Sequence, residues 1–159
     1  MTPRLDADAV MEILRTTVPR LEELTRGVSQ RRLTTVTDYG WSVTQQLAHL
    51  RTSHDVLGGN MLRIVREDHP AWKGAPGWRK QAEYMEWKFD PAFDVFRAQR
   101  ADLLHVLEPL PPEGWEWTAT VLAPPNVVYE YSTLYYGDWM ARHERSHLKH
   151  MARILDETS

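Results

Sequence analysis

Apolar residues recur at helical spacing in four segments of this sequence, and this pattern restricts the fold more than any other feature. The first segment runs from about Asp6 to Arg26, and Gly27 is a typical helix stop. Pro19 lies in its middle and lacks a backbone N–H, so we expect the helix to kink or split there. The second segment runs from Ser42 to about Arg66, and its first four residues, Ser-Val-Thr-Gln, have the form of a capping box.

The second half of the chain predicts two more helices. Asp90 is a good N-cap and Pro91 suits the first helical position, so the third helix should begin there and stop before a proline-rich stretch. The fourth should start near Ser132 or Thr133 and continue to about Leu155. Four helices with long connections between helices two and three and between three and four are typical of a four-helix bundle. We therefore predict an all-α fold.

The two long connections are residues 67–89 and residues 109–131. The first is rich in proline and glycine, and we expect a short helical turn in it around Arg79 to Trp87. Apolar residues in the second can pair briefly as strands, but Pro124-Pro125 argues against a continuous strand, so we expect almost no regular sheet. Connections of this length are uncommon unless they are functional, and they often cover a site.

The chain has seven tryptophans and six tyrosines, which is many for its length. Such rings either pack a connection onto the bundle or form the walls of an aromatic pocket, and packing is the interpretation that we favour. The tryptophans in apparent connections are Trp41, Trp72, Trp78, Trp115 and Trp117.

Composition excludes several classes of function. The chain has 19 basic and 22 acidic residues, a formal net charge of −3, and no concentrated basic face, so we expect no nucleic-acid partner. It has no cysteine, which excludes a disulfide framework and a thiolate metal site, so a metal site must use nitrogen and oxygen ligands. We find neither a signal-peptide pattern nor a membrane helix, and expect one cytoplasmic domain spanning residues 1–159.

The most informative polar pattern is a pair of histidines, His143 and His147, in the fourth helix. Residues four apart lie one turn apart on the same helical face, so both imidazoles can bind one metal ion. The apolar residues of that helix, such as Met140 and Met151, fall on the same side, so we expect the pair to be buried. Buried imidazoles need partners. A shared metal, satisfied core histidines and an acid–base pair all remain open.

A third ligand must come from another helix, and the second helix offers His49 and His54. Helical periodicity does not choose cleanly between them, although it slightly prefers His54 as the inward residue. The stretch His143-Glu144-Arg-Ser-His147 also fits the zinc-protease template in which a glutamate follows the first histidine. A protease of that type needs a further ligand, and twelve residues follow His147 in this sequence, so we do not expect one.

Two motifs resemble those of the DinB/YfiT-like superfamily of metal-dependent enzymes. The first is Trp41-Ser-Val-Thr-Gln-Gln-Leu-Ala-His49-Leu50, and the second is Trp139-Met-Ala-Arg-His143-Glu-Arg-Ser-His147-Leu-Lys-His150-Met-Ala-Arg-Ile154. The stretch from Asp90 to Phe93 and the stretch from Arg100 to Leu107 resemble the family's third helix, so the likeness spans nearly the whole chain.

The resemblance implies a four-helix bundle with up-down-down-up topology. It also implies that His49, His143 and His147 bind a nickel, zinc or similar divalent ion, with water completing the site. Characterised members of the family include thiol-dependent transferases and isomerases that use bacillithiol or mycothiol. The resemblance therefore favours a small-molecule substrate, a low-molecular-weight thiol among them, and a homodimer.

Three neutral histidines leave an open position on the metal, which suits activation of water or of a thiolate. Hydrolysis and thiol transfer are both chemically available, and so is a bundle that binds a metal or another ligand without chemistry. The sequence assigns no catalytic acid or base. As residues around the metal ligands we expect His54, His150 and Glu144, although a solvated Glu144 is equally open. Asp55 and Asp138 are further acceptors for a histidine N–H, or else surface carboxylates.

Overall fold

The computed structural model describes residues 3–74 and 80–159. Over these residues it contains seven α-helices and three strands. The helices are α1 (Ala7–Thr25), α2 (Gln30–Thr34), α3 (Val43–Ser53), α4 (Gly59–Arg66), α5 (Gln81–Met85), α6 (Phe89–Leu107) and α7 (Thr133–Glu157). The strands are β1 (Ala71–Lys73), β2 (Thr118–Ala123) and β3 (Val127–Ser132). No helix in the described ranges is both long and apolar enough to cross a membrane.

Helix α1 begins and ends close to the predicted residues. The Asp6 side chain caps it by accepting from the backbone N–H of Ala9 at 2.8 Å. After the helix, Gly27 has a φ of +71°, the left-handed conformation that glycine adopts readily. Of the kink or split that we expected at Pro19, the split is wrong, because one helix continues through it from Ala7 to Thr25.

The second predicted helix has the expected start and end. Ser42 caps α3, and its side chain and that of Gln45 form the reciprocal bonds of a capping box. The helical run ends at Arg66 as predicted, but it is not uniform. Residues His54–Gly58 form a π-helical turn between α3 and α4. Such turns insert one residue into a helix and are frequent near functional sites.

The start of α6 differs from the prediction. The helix begins at Phe89, and Lys88 takes the cap position without a side-chain bond. Asp90 and Pro91 are therefore its second and third residues. Pro91 is tolerated there because the first backbone N–H groups of a helix have no partner within the helix. The fourth predicted helix, α7, starts as expected after Ser132, which accepts from the backbone N–H of Tyr135.

The connections contain more structure than expected. Helix α5 corresponds to the predicted turn, of which Arg79 lies outside the described residues, as does Trp78. The expectation of almost no sheet is wrong, because β2 pairs antiparallel with β3 and β1 pairs parallel with β2. Pro124 and Pro125 fall between Ala123 and Val127, where they end β2 instead of interrupting it. The fold is thus mostly helical with a small three-stranded sheet.

The apolar core consists of two clusters, one towards each end of the bundle. The first includes Leu14, Leu57, Leu103 and Ala141, and the second includes Leu21, Leu50, Phe96 and Leu148. Each long helical segment passes from one cluster to the other, and between the two clusters each segment carries buried polar side chains. We call four of them, one from each segment, the polar layer: Thr17, His54, Arg100 and Glu144.

Candidate metal centre

Three histidines converge beside the polar layer. His49 comes from α3, and His143 and His147 come from successive turns of α7. The Nε2 atom of His143 lies 2.9 Å from Nε2 of His49 and 3.1 Å from Nε2 of His147. One nitrogen from each ring lies within 4.8 Å of the other two, and all three side chains are half-buried. We refer to these residues as the three-histidine cluster.

Two glutamines orient the outer rings of the cluster. The Oε1 atom of Gln81 lies 2.7 Å from Nδ1 of His49, and Oε1 of Gln46 lies 3.0 Å from Nδ1 of His147. An amide oxygen only accepts, so each imidazole donates its Nδ1–H to a glutamine. A neutral imidazole has a single N–H, and Nε2 of both rings therefore presents a lone pair to His143.

The cluster fits a divalent metal ion. With Nδ1 protonated in His49 and His147, the three Nε2 atoms share at most one proton, which only His143 can carry. The space that they face is therefore rich in lone pairs and suited to a cation. A metal on Nε2 of His143 would place that ring's proton on Nδ1, an atom that is buried and has no hydrogen-bond partner in the described part of the chain.

The electrostatic surroundings keep His143 and His147 neutral. Burial, together with the neighbouring histidines, lowers the pKa of His147 to about 3. Burial and the nearby His49 lower the pKa of His143 to about 4. An imidazole must be unprotonated to bind a metal. Because their pKa values are low, His143 and His147 already meet this condition at neutral pH.

Aromatic rings surround the cluster. The ring of Trp41, from the first motif, lies against His49 with a centroid distance of 4.9 Å. His150 packs edge-on against His147 at 6.0 Å and stacks on Tyr39 at 5.8 Å. His150 therefore contacts one member of the cluster and is not among the three residues whose nitrogens converge.

His54 lies apart from the cluster. The structure brings His49, and not His54, to the pair on α7. Periodicity favoured His54 as the inward residue, and His54 is indeed the more buried of the two. The His54 side chain is buried against Phe96, next to Gly58, whose missing side chain leaves room for the imidazole. Its Nε2 atom has no hydrogen-bond partner among the described residues.

The buried imidazole of His54 should make stability depend on pH. Burial lowers its pKa to about 3, and the charge of Arg100 contributes. Above the ordinary pKa of about 6.5 both the folded and the unfolded chain hold it neutral. As pH falls from 6.5 towards 3, only the unfolded chain takes up this proton, so the folded state loses about 1.4 kcal/mol per pH unit. We expect a loss of about 2 kcal/mol between pH 6.5 and pH 5.

Urea unfolding of wild type and a His54→Asn variant at pH 7 and pH 5 measures this contribution. The variant should lose less stability between the two pH values than wild type by about 2 kcal/mol. His105→Asn, at an exposed histidine of α6, is the matched control and should leave the pH dependence as it is. Equal pH dependence in wild type and His54→Asn contradicts the prediction.

The expectations for the carboxylates need correction. Glu144 is fully buried, so a solvated Glu144 is wrong. Its two oxygens bond to Arg100, and Oε1 also accepts from Thr17, so the carboxylate belongs to the polar layer. Asp138 is also buried and pairs with Arg142. Asp55, which is half-buried, accepts from Tyr84 and Gln99.

Sequence reasoning did not identify the two glutamines as partners of the histidines. Gln46 lies three residues before His49 within the first motif, so its position on the same helical face was a usable signal. Gln81 lies in a long connection, where no periodicity shows which side chains return to the bundle.

Comparison with known proteins agrees with this architecture. The sequence pattern of the DinB superfamily matches residues 13–151. Among solved structures the chain is similar to YfiT from Bacillus subtilis, described as a probable metal-dependent hydrolase with an unusual four-helix bundle topology. The TM-score is 0.69 at 17% identity, and the match covers 96% of this chain and 92% of YfiT. No curated protein matches the chain. The likeness to YfiT shows the shared helical-bundle fold.

Proposed function

The chain belongs to the DinB superfamily, and from this premise we propose that it is a metal-dependent hydrolase whose ligands are His49, His143 and His147. The observation that carries the proposal is the convergence of three imidazole nitrogens, with two of the rings oriented by Gln81 and Gln46. We propose nickel or zinc as the ion, because both accept nitrogen ligands and the chain has no thiolate to offer.

The protein's own part in such a reaction is to hold the ligands and shape the site. A divalent ion bound by three neutral histidines supplies Lewis-acid chemistry and an open position at which water or a thiol is activated. Gln46 and Gln81 fix the tautomers of two rings, and burial keeps His143 and His147 unprotonated. Trp41 covers one side of His49 and limits its contact with solvent.

The proposal is tested by metal analysis and a hydrolysis screen on the same protein. Purified protein loaded with nickel or zinc should contain one ion per chain, and it should hydrolyse at least one member of an ester, amide and lactone panel. Activity should disappear after chelation and return with the metal. A protein that takes up no ion under metal-replete conditions contradicts the proposal, and one that binds the ion without turnover indicates a non-catalytic metal-binding bundle.

A second candidate reaction is transfer to a low-molecular-weight thiol of the bacillithiol or mycothiol type. The observation in its favour is that the chain has no cysteine, so a thiol nucleophile at the site must come from a separate molecule. A neutral three-histidine site also leaves the charge of the ion available to stabilise a thiolate. Turnover that requires added thiol identifies this reaction, whereas turnover without thiol identifies hydrolysis.

Gln46 provides a test of how the ligands are positioned. Replacing Gln46 with leucine removes the acceptor for His147 Nδ1 and should weaken metal binding by about 10–100-fold, as losses of such partners do. Gln46→Glu keeps an acceptor at the same place and should retain the affinity. Titration calorimetry with zinc measures both, and Gln30→Leu on the exposed side of α2 is the control. Equal affinities in Gln46→Leu and Gln30→Leu contradict the positioning role.

We also propose the up-down-down-up order of the four long helical segments. The support is the residue numbers of the contacting pairs. Between α1 and α7 both numbers rise together, so these helices are parallel, whereas between α1 and α6 one number rises as the other falls, so these helices are antiparallel. The pairs are Val10–Gly137 and Thr17–Glu144 for α1 and α7, and Glu22–Arg97 and Arg15–Glu108 for α1 and α6.

For partners, we propose a small-molecule substrate, no nucleic acid, no membrane, and assembly as a homodimer in the cytoplasm. The formal charge of −3 without a basic face supports the exclusion of nucleic acid. Sedimentation at high concentration tests the dimer, and a purely monomeric protein contradicts it.

A further inference from the structure

An aromatic cavity lies between the small sheet and the middle of the bundle. Its volume is about 250 Å³, and its walls come from β2, β3, the start of α7 and the segment from Val56 to Asn60. Six rings line it: Trp72, Tyr129, Tyr131, Tyr135, Tyr136 and Trp139. The described residues that line it include no charged side chain.

Three tyrosine rings of this aromatic cavity are stacked and nearly parallel to one another. The rings of Tyr129 and Tyr131 are 5.3 Å apart and inclined by 7°, and those of Tyr131 and Tyr135 are 4.1 Å apart and inclined by 6°. Trp139 meets the edge of Tyr135 at 6.2 Å. Aromatic rings prefer to pack against another aromatic ring, either stacked on its face or edge to face. A flat aromatic ligand therefore suits this cavity.

The aromatic cavity and the three-histidine cluster lie on the same two helical segments. On α7, Trp139 precedes His143 by four residues, which is one turn or about 6 Å along the axis. On the facing segment, Val56 follows His49 by seven residues, which is about two turns or about 10 Å. A molecule with its ring in the aromatic cavity therefore needs a substituent that extends about 6–10 Å along the bundle to reach the histidines.

A wider groove lies next to the aromatic cavity and extends to α5. The aromatic cavity shares Val56, Asn60 and Trp72 with a neighbouring groove that is also lined by Tyr84 and other polar residues. Tyr84 belongs to α5, the helix whose Gln81 contacts His49. The groove leaves room for the remainder of a substrate on the side of α5.

We propose that the aromatic cavity binds a flat, uncharged aromatic ring of the substrate and presents the group attached to that ring to the three-histidine cluster. This inference rests on the proposed function, because it names the substrate class of the same site. An apolar cavity of about 150 Å³ is sufficient to bind benzene, so about 250 Å³ accommodates one substituted or two fused rings.

Binding of simple probes to the metal-free protein tests the ring site directly. Benzyl alcohol should bind at least about fivefold more tightly than cyclohexylmethanol or tetramethylammonium, measured by saturation-transfer NMR titration. Ala123→Phe, which places a ring in the aromatic cavity, should abolish that binding. Trp139→Ala should weaken it by about fivefold. The matched control is Trp117→Ala, at a tryptophan of similar exposure (42% against 40%) that is not among the described residues lining the aromatic cavity.

Loading the three-histidine cluster with cobalt tests whether the ring site lies close to it. In the cobalt protein, but not in the zinc protein, the ring protons of bound benzyl alcohol should broaden strongly, because the paramagnetic ion lies within about three helical turns. The inference is overturned if Ala123→Phe, folded by circular dichroism, binds like wild type. It is also overturned if cyclohexylmethanol or tetramethylammonium binds equally well, or if cobalt that is bound to the protein causes no broadening.

The two proposals fail in different ways. If the protein takes up no cobalt, the proposed function fails, whereas loss of benzyl alcohol binding in Ala123→Phe still supports the ring site. If the protein binds cobalt but benzyl alcohol binding is insensitive to Ala123→Phe, the ring site fails and the metal centre stands.

Discussion

Replacement of His143 with alanine should reduce affinity for zinc or nickel by more than about 100-fold. His143 is the central member of the three-histidine cluster, since its Nε2 atom is close to Nε2 of both other rings. Protein zinc sites reach apparent binding free energies of about 10 kcal/mol or more, so one of three ligands contributes about 3 kcal/mol, and each 1.4 kcal/mol is tenfold in affinity. Titration calorimetry and elemental analysis of the dialysed protein measure the loss.

Variants at the other histidines decide whether the ligand set is correct. His49→Ala and His147→Ala should lose affinity to a similar extent. His105→Ala, at an exposed histidine of α6, is the matched control and should bind metal like wild type. His54→Ala is the sharper comparison, because His54 is buried nearby but lies outside the cluster. If His54→Ala loses the metal while His49→Ala keeps it, our assignment of the third ligand is wrong.

The choice between His49 and His54 shows what the sequence pattern reports. Helical periodicity measures burial, and His54 is indeed the more buried of the two, with 5% of its surface exposed. A residue that binds a metal or substrate needs access from outside the core, and the partly exposed His49, our proposed third ligand, lies at the border of the core. The motif from Trp41 to His49 contained this information, whereas the apolar pattern did not.

The fold was predictable where local chemistry determines it. Ser42 and Ser132 cap helices through their own side chains, so these helix starts follow from nearby residues. The start of α6 was misplaced because a proline is compatible with any position in the first helical turn. The sheet depends on pairing between β1 and β2, which are distant in sequence, and no local signal reports such a contact.

The polar layer could not be predicted for a different reason. A charged residue in a helix is usually solvated, so Glu144 and Arg100 gave no signal of burial. Both are nearly inaccessible in the structure, at 1% and 2% of their side-chain surfaces. Their partners, Thr17 and the backbone oxygen of Leu14, come from a third helix, so only the folded bundle brings the four groups together.

This buried pair should dominate the effect of substitutions on stability. Glu144→Ala leaves the guanidinium of Arg100 buried without its carboxylate, and Thr17 loses its acceptor at 2.8 Å. Removing one partner of a buried ion pair costs about 3–5 kcal/mol in the free energy of unfolding, because the remaining charge stays desolvated. Urea unfolding followed by circular dichroism measures this loss, and it should be the largest among single substitutions outside the apolar core.

The chain offers a matched control in a second arginine–glutamate pair. Arg15 and Glu108 also join two helical segments through two hydrogen bonds, each 2.7 Å long, but 45% of each side chain is exposed. Glu108→Ala should therefore change the free energy of unfolding only slightly, since water solvates the arginine that remains. The double variant Arg100→Met/Glu144→Leu should recover most of the stability lost in Glu144→Ala, because an apolar pair carries no desolvated charge. Equal losses in Glu144→Ala and Glu108→Ala would show that burial of the first pair has no energetic consequence.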